Sequence, residues 1–172
     1  MPTCHESFNA RLIGWQQQHG RHHLPWQVRN PYLVWLSEIM LQQTQVDTVI
    51  PYFNNFMEKY PTIESLANSD EDELMKYWEG LGYYSRIRNI RETALNIASN
   101  YEGKIPETFD ELLKLKGIGE YTAGAIASEA FGQIVPAVDG NVFRVFARLT
   151  AKEDDLRDVK FQKRLKVAVT SV

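Results

Sequence analysis

Apolar residues recur along this chain at the three-and-four spacing of a helix face, not at the alternation of a strand. Val49, Ile50, Phe53, Phe56, Met57 and Tyr60 make one such stripe, and Ile87, Ile90, Ala94, Ile97, Ala98 and Tyr101 make another. Polar punctuation agrees with this period. Asn30 precedes Pro31, Ser69 precedes the acidic run Asp70 to Glu73, and Thr108 with Glu111 has the spacing of a capping box. Gly20, Gly103 and Gly132 mark helix ends. Elements of about 10 to 18 residues, joined by short turns and with no fixed-period repeat, predict an all-α bundle and not a solenoid. The segment Glu153 to Val172 has Asp154 and Asp155 as candidate caps but stops in "VAVTSV", which reads as a truncated chain.

Composition changes this picture little. A chain of 172 residues with 44% hydrophobic content can build one or two small domains. Apolar runs such as Leu33–Leu36 are far shorter than the roughly 20 residues of a membrane span. No basic start leads into an apolar segment, so no membrane partner is expected and the location expected is the cytoplasm. Cys4 is the only cysteine, which excludes an internal disulfide and a thiolate cluster built from this chain. His19, His22 and His23, near His5 and Cys4, fit no standard zinc spacing, and no metal site is expected here. The net charge of −3, taken alone, argues against nucleic acid, so an affinity for phosphates would need a source other than overall charge.

The stretch "LKGIGEYTAGAI", Leu115 to Ile126, supplies one. Gly117, Ile118 and Gly119 fall between a helix ending near Lys114 and another starting near Glu120. Glycines let a second backbone approach, and amides at the start of a helix can bind an anion such as a DNA phosphate. A plain tight turn, with Ala123, Gly124 and Ala125 serving close helix packing, has the same pattern.

Two carboxylates carry candidate chemistry. Glu38 lies in "PYLVWLSEIMLQQTQV" with Val34, Trp35 and Leu41 as helical neighbours. Desolvation there favours the protonated form, which suits a general acid. A surface or arginine-paired glutamate is the plainer alternative. Asp139 follows the apolar "IVPAV" and precedes a helix that begins with Gly140 and Asn141, where backbone N–H donors stabilise an anion. The plainer alternative is a helix cap. A carboxyl that holds its proton, paired with one that stays ionised, is the combination used to break a glycosidic bond through an oxocarbenium-like transition state.

Five ordered motifs, "LPWQ", "VWLSEIMLQQTQV", "WEGLGYYSRIRNI", "LKGIGEYTAGAI" and "VDGNVFRV", resemble adenine DNA glycosylases of the MutY type, within the helix-hairpin-helix glycosylase superfamily. The resemblance runs from about Phe8 to Leu149. It implies a monofunctional enzyme that hydrolyses the N-glycosidic bond of adenine mispaired with 8-oxoguanine or guanine, in base-excision repair. Its partner would be double-stranded DNA holding such a mismatch, and the protein a monomer in a bacterial-type cytoplasm with the chromosome. Glu38 would protonate the departing adenine, and Asp139 would stabilise the sugar cation or a transient adduct. Tyr121 stands where bifunctional relatives such as endonuclease III have a lysine that attacks the sugar, and a tyrosine cannot form that Schiff base.

The resemblance also assigns roles around the lesion. A base inside a duplex must be turned out before chemistry. Gln43 and Tyr83 match inserting residues, Thr44 and Leu81 match residues touching the opposing 8-oxoguanine, and Gln27 with Trp26 matches the adenine pocket. Asn141 matches a residue that orients Asp139 or the water. On a bland reading Tyr83 and Tyr84 are core aromatics, while Gln42 and Gln43 are solvated. Arg86, Arg88 and Arg91 could meet phosphates or form a salt-bridged helix face.

The expected organisation is residues 1–29 as an N-terminal helix and lead-in, part of an incomplete second helical domain. Residues 30–135 form a helical domain with the hairpin at about 110–131, and residues 136–172 hold the catalytic Asp loop and the start of further helices. The resemblance implies that family members usually bind a [4Fe-4S] cluster on four cysteines after this region, followed by a domain that checks for 8-oxoguanine. Helix partners of Phe8, Leu12 and Trp15 would also come later, so an exposed apolar patch is expected there. A thymine or uracil mismatch glycosylase of the same superfamily and a noncatalytic DNA-binding fragment stay open as alternatives.

Overall fold

A computed structural model describes residues 4–151 and 158–170. It is all-helical over the described residues, as the period of the apolar positions predicts. In chain order the elements are α1 (Cys4–His19), α2 (Pro31–Leu41), α3 (Val46–Lys59), α4 (Ile63–Ala67), α5 (Glu71–Trp78), α6 (Ser85–Asn100), α7 (Phe109–Leu112), α8 (Glu120–Ala125), α9 (Gly140–Leu149) and α10 (Val159–Thr170). A π-helical turn, Ile126–Ala130, continues α8. Contacts divide the chain into two compact units, Pro25–Ala137 in one and Met1–Leu24 with Val138–Val172 in the other.

The Pro25–Ala137 unit is organised around α2. Tyr32, Val34, Trp35, Leu36, Ser37, Ile39 and Met40 are all buried, so this helix meets protein on nearly every side. It packs against α3, α8 and the π turn, while α4 packs against α6. The α3 and α6 stripes read from sequence enter this core through Val49, Phe53 and Phe56, and through Ile87, Ile90, Ala94 and Ile97. Pro31, Glu38 and Leu41 are the half-exposed positions along one edge of α2. Seven residues separate Pro31 from Glu38 and three separate Glu38 from Leu41, so all lie on one helical line.

Local chemistry explains where the helices begin. Asn30 Oδ1 accepts from the Tyr32 and Leu33 amides at 2.9 and 3.3 Å, as an N-cap ahead of Pro31 should. One predicted start moves by a residue. The cap of α5 is Asp70, which accepts from the Glu73 amide at 2.9 Å, whereas the Ser69 hydroxyl turns back to the Leu66 carbonyl at 2.6 Å and closes α4. Thr108 caps α7 through the Glu111 amide, but the Glu111 carboxylate pairs with Lys114 and Tyr101. Half of the expected box is therefore present, and a reciprocal box occurs instead at Thr62 and Ser65.

In the other unit α9 and α10 pack through Ala147, Phe161 and Leu165, with Phe143 and Phe146 against them. Phe8 on α1 meets Phe146 edge-on, ring centroids 6.4 Å apart, so this residue has a partner that the sequence reading placed elsewhere. Leu12 and Trp15 are exposed, as expected. The candidate caps Asp154 and Asp155 lie outside the described residues; Asp158 accepts from the Lys160 amide at 2.8 Å at the start of α10.

Candidate active site

The hairpin is built on α6. Thr93 Oγ1 donates to the Lys116 carbonyl at 2.7 Å and fixes the entry to the turn. Gly117 has φ +76°, and a Cβ there would stand 3.0 Å from Asn89 Cβ, so both backbone angle and space demand glycine. Gly119 differs: its φ of −90° suits any residue, and a Cβ would meet nothing within 4 Å. It caps α8 with no side-chain hydrogen bond, so the second glycine keeps the approach to a helix start open. Ile118 is buried and its amide already donates to the Leu115 carbonyl at 3.2 Å, which makes it an anchor of the turn. Tyr121 is exposed on the first turn of α8.

Glu38 sits on the half-exposed edge of α2, between the buried Ser37 and Ile39 and one turn beyond the buried Val34 and Trp35. A carboxyl there has an apolar base and an opening to one side. Because α2 packs on α8, the helix bearing Glu38 and the helix bearing Tyr121 are neighbours.

Beyond α2 the chain turns through Gln42, Gln43 and Thr44, and beyond α5 it turns through Leu81, Gly82 and Tyr83. Each turn holds one exposed residue in the left-handed region, Gln43 with φ 58° and Tyr83 with φ 46°. Such angles are uncommon outside glycine and mark a strained, held backbone. Tyr83 is 60% exposed and Tyr84 is exposed too, so the bland reading of both as core aromatics is wrong. Thr44 is half-buried, its hydroxyl near the Gln42 carbonyl at 3.4 Å. Leu81, expected to touch an opposing base, is only 5% exposed; its side chain packs inside the unit.

Arg86 joins these two turns. It is 8% exposed, and its guanidinium donates to five main-chain carbonyls. Nη1 reaches those of Ile39, Met40 and Gln42 at 2.8, 3.1 and 2.7 Å, and Nη2 those of Leu81 and Gly82 at 2.9 and 3.3 Å. Burial pushes its pKa below the ordinary arginine value. The sequence reading offered Arg86 to phosphates and missed this role. A signal existed: Arg86 stands four residues before Ile90 on the buried stripe of α6, where a charged residue must find partners inside. Arg91 is also committed, bonding to the Ser69 carbonyl at 3.3 Å and lying 3.8 Å from the Glu71 carboxylate, while Arg88 is exposed.

In the other unit Asp139 is the N-cap of α9. Its Oδ1 accepts from the Asn141 and Val142 amides at 2.9 and 2.8 Å, and its Oδ2 from Asn141 Nδ2 at 2.6 Å. Asn141 Oδ1 in turn accepts from Arg144 Nη2, which fixes the amide so that its NH2 faces Asp139. Asp139 is thus a helix cap, and Asn141 is hydrogen-bonded to its second oxygen. Asp139 is half-buried.

Of the pair matched to a base pocket, Trp26 is buried against Phe53, ring centroids 5.2 Å apart, and Gln27 beside it is exposed. Among the described residues no three His, Cys, Asp or Glu side chains gather to hold a metal ion. A [4Fe-4S] cluster needs four thiolates, and the chain has one cysteine, so its residues do not fit that group.

A helical scaffold with a Gly-x-Gly hairpin, a carboxyl on the neighbouring helix and a capped aspartate after the hairpin defines a class of DNA-repair protein. Residues 36–170 match the HhH-GPD superfamily of base excision DNA repair proteins, and the chain belongs to that superfamily. It is similar to an adenine DNA glycosylase of Buchnera aphidicola subsp. Baizongia pistaciae, 46% identical over 142 residues, which cover 82% of this chain and 40% of that protein. The adenine DNA glycosylase of Homo sapiens is 46% identical over 155 residues, covering 84% of this chain and 28% of the relative. The chain thus spans less than half the length of these curated relatives. Among solved structures, a non-covalent endonuclease III–DNA complex superposes with a TM-score of 0.74 at 28% identity, over 96% of this chain and 78% of that one.

Proposed function

We propose that this chain is the catalytic region of an adenine DNA glycosylase that removes adenine mispaired with 8-oxoguanine or guanine during base-excision repair. The observation that carries the reading is the joint presence of Glu38 on the open edge of α2 and Asp139 held by three donors at the start of α9. The names of the curated relatives support it.

In this reading the open helix start at Gly119 takes a phosphate of the duplex, and the exposed Gln43 and Tyr83 enter the stack as adenine turns out. Glu38 delivers a proton to the adenine, the bond from sugar C1′ to the base nitrogen breaks, and adenine leaves neutral. Asp139 faces the positive charge that develops on the sugar, in the orientation set by Asn141. Water then adds at C1′ and its proton passes to solvent or to a carboxylate. Tyr121 replaces an amine nucleophile, so strand scission does not accompany base loss. The [4Fe-4S] cluster and an 8-oxoguanine-checking domain belong to the complete protein in this account.

Duplexes holding adenine opposite 8-oxoguanine, adenine opposite guanine, thymine opposite guanine and uracil opposite guanine, each incubated with excess protein and then treated with alkali, test the assignment. Cleavage at adenine alone, only after alkali, is the expected result. Cleavage at thymine or uracil would reassign the substrate, and cleavage without alkali would contradict the monofunctional mechanism.

A further inference from the structure

We propose that Arg86 is a positioning residue that locks the Gln42–Thr44 and Leu81–Tyr83 turns into one two-pronged element, so that Gln43 and Tyr83 engage a duplex as a unit. This rests on the reading above that the ligand is mismatched duplex DNA. The geometry divides the guanidinium cleanly: Nη1 serves only carbonyls at the end of α2, and Nη2 serves only the Leu81–Gly82 turn. A planar fork can hold two turns at a set separation in this way, which a single ammonium cannot.

The two turns are not equally supported. The Leu81–Tyr83 turn has other ties: Trp78 Nε1 donates to the Gly82 carbonyl at 3.0 Å, and Tyr52 Oη donates to the Glu79 carbonyl at 2.9 Å. Apart from Arg86, the turn after α2 is held among the described residues by long bonds: Gln42 to Ile39 at 3.4 Å, Thr44 to Leu41 at 3.2 Å, and the Thr44 hydroxyl to the Gln42 carbonyl at 3.4 Å. Its strained Gln43 therefore depends most on Arg86. The guanidinium also lies 5.4 Å from the centre of the Tyr83 ring and 5.3 Å from that of Trp78, so it steadies the base of the exposed tyrosine as well. Arg86 is buried, so in this proposal it acts through the two turns and not by contact with the duplex.

Arg86→Lys and Arg86→Met test the coupling. In the free protein, amide exchange at residues 42–44 and 81–83 should rise together by about tenfold or more, most at 42–44, while peptides in α4 and the second half of α6 exchange as before. Unchanged exchange in either turn, or faster exchange throughout the core in both variants, overturns the proposal. A double-mutant cycle adds a readout that a structural role alone does not move. Losses in mismatch binding from Gln43→Ala and Tyr83→Ala should be non-multiplicative by about fivefold or more in the native background and multiplicative within about twofold in the Arg86→Lys background. Independent effects in the native background overturn the proposal. Native protein with no preference for mismatched over matched duplex would instead overturn the functional reading, and the exchange measurement would still judge the clamp.

Discussion

At the scale of single residues, the site separates roles that the sequence leaves merged. Asp139 is both the cap of α9 and the candidate partner of a sugar cation. Asparagine caps a helix about as well as aspartate, whereas alanine costs about 1 kcal/mol. Asp139→Asn keeps the acceptor for the two cap amides but sets its NH2 against that of Asn141, so it should lose base release with a smaller fall in the thermal midpoint than Asp139→Ala; unaltered turnover in the asparagine variant would leave Asp139 only a cap. The two hairpin glycines divide similarly. Gly117→Ala meets a positive φ and the Asn89 side chain, and should destabilise by about 1–2 kcal/mol in a denaturant titration. Gly119→Ala meets neither, so stability should hold within about 0.5 kcal/mol while duplex affinity falls, because the added methyl stands on the open approach. The sequence shows both glycines alike; only the backbone angles tell them apart.

At the scale of elements, the periodic stripes of α3 and α6 were legible because burial of a helix face leaves its period in the residues. So was the cap at Asn30, whose side chain acts within three residues. The start of α5 was misread by one because Ser69 and Asp70 are both cap formers, and which one serves depends on how α4 ends. Arg86 was misread for a different reason: its partners lie 44 to 47 residues earlier, at the end of α2, as well as on the turn just before it. Contacts across such separations leave no local pattern. Thr93 is another long-range tie, between α6 and the hairpin. Thr93→Val removes the donor to Lys116 and should cost about 1 kcal/mol, with faster exchange in residues 115–119 than elsewhere; a uniform change across the unit would contradict a specific tie.

At the scale of the whole molecule, the net charge of −3 supplies no general attraction for phosphates, and in the proposed account the open helix start and the two exposed turns hold the duplex instead. The all-α class was readable from the period of apolar positions, and the superfamily from five ordered motifs, because both survive without knowledge of contacts. The expected apolar patch is present in part: Leu12, Ile13 and Trp15 are exposed on α1, while Phe8 packs on Phe146. Leu12→Gln with Trp15→Gln should lower binding of a hydrophobic dye at unchanged circular dichroism; undiminished dye signal would move the patch elsewhere. The central claim is that Glu38 supplies the proton that releases adenine. The most direct measurement is single-turnover release of adenine from a duplex with adenine opposite 8-oxoguanine, by native protein and by Glu38→Gln, with duplex affinity measured beside it. The account predicts release that falls by at least about a hundredfold in the variant while affinity stays within about threefold. Equal release by both proteins would contradict it.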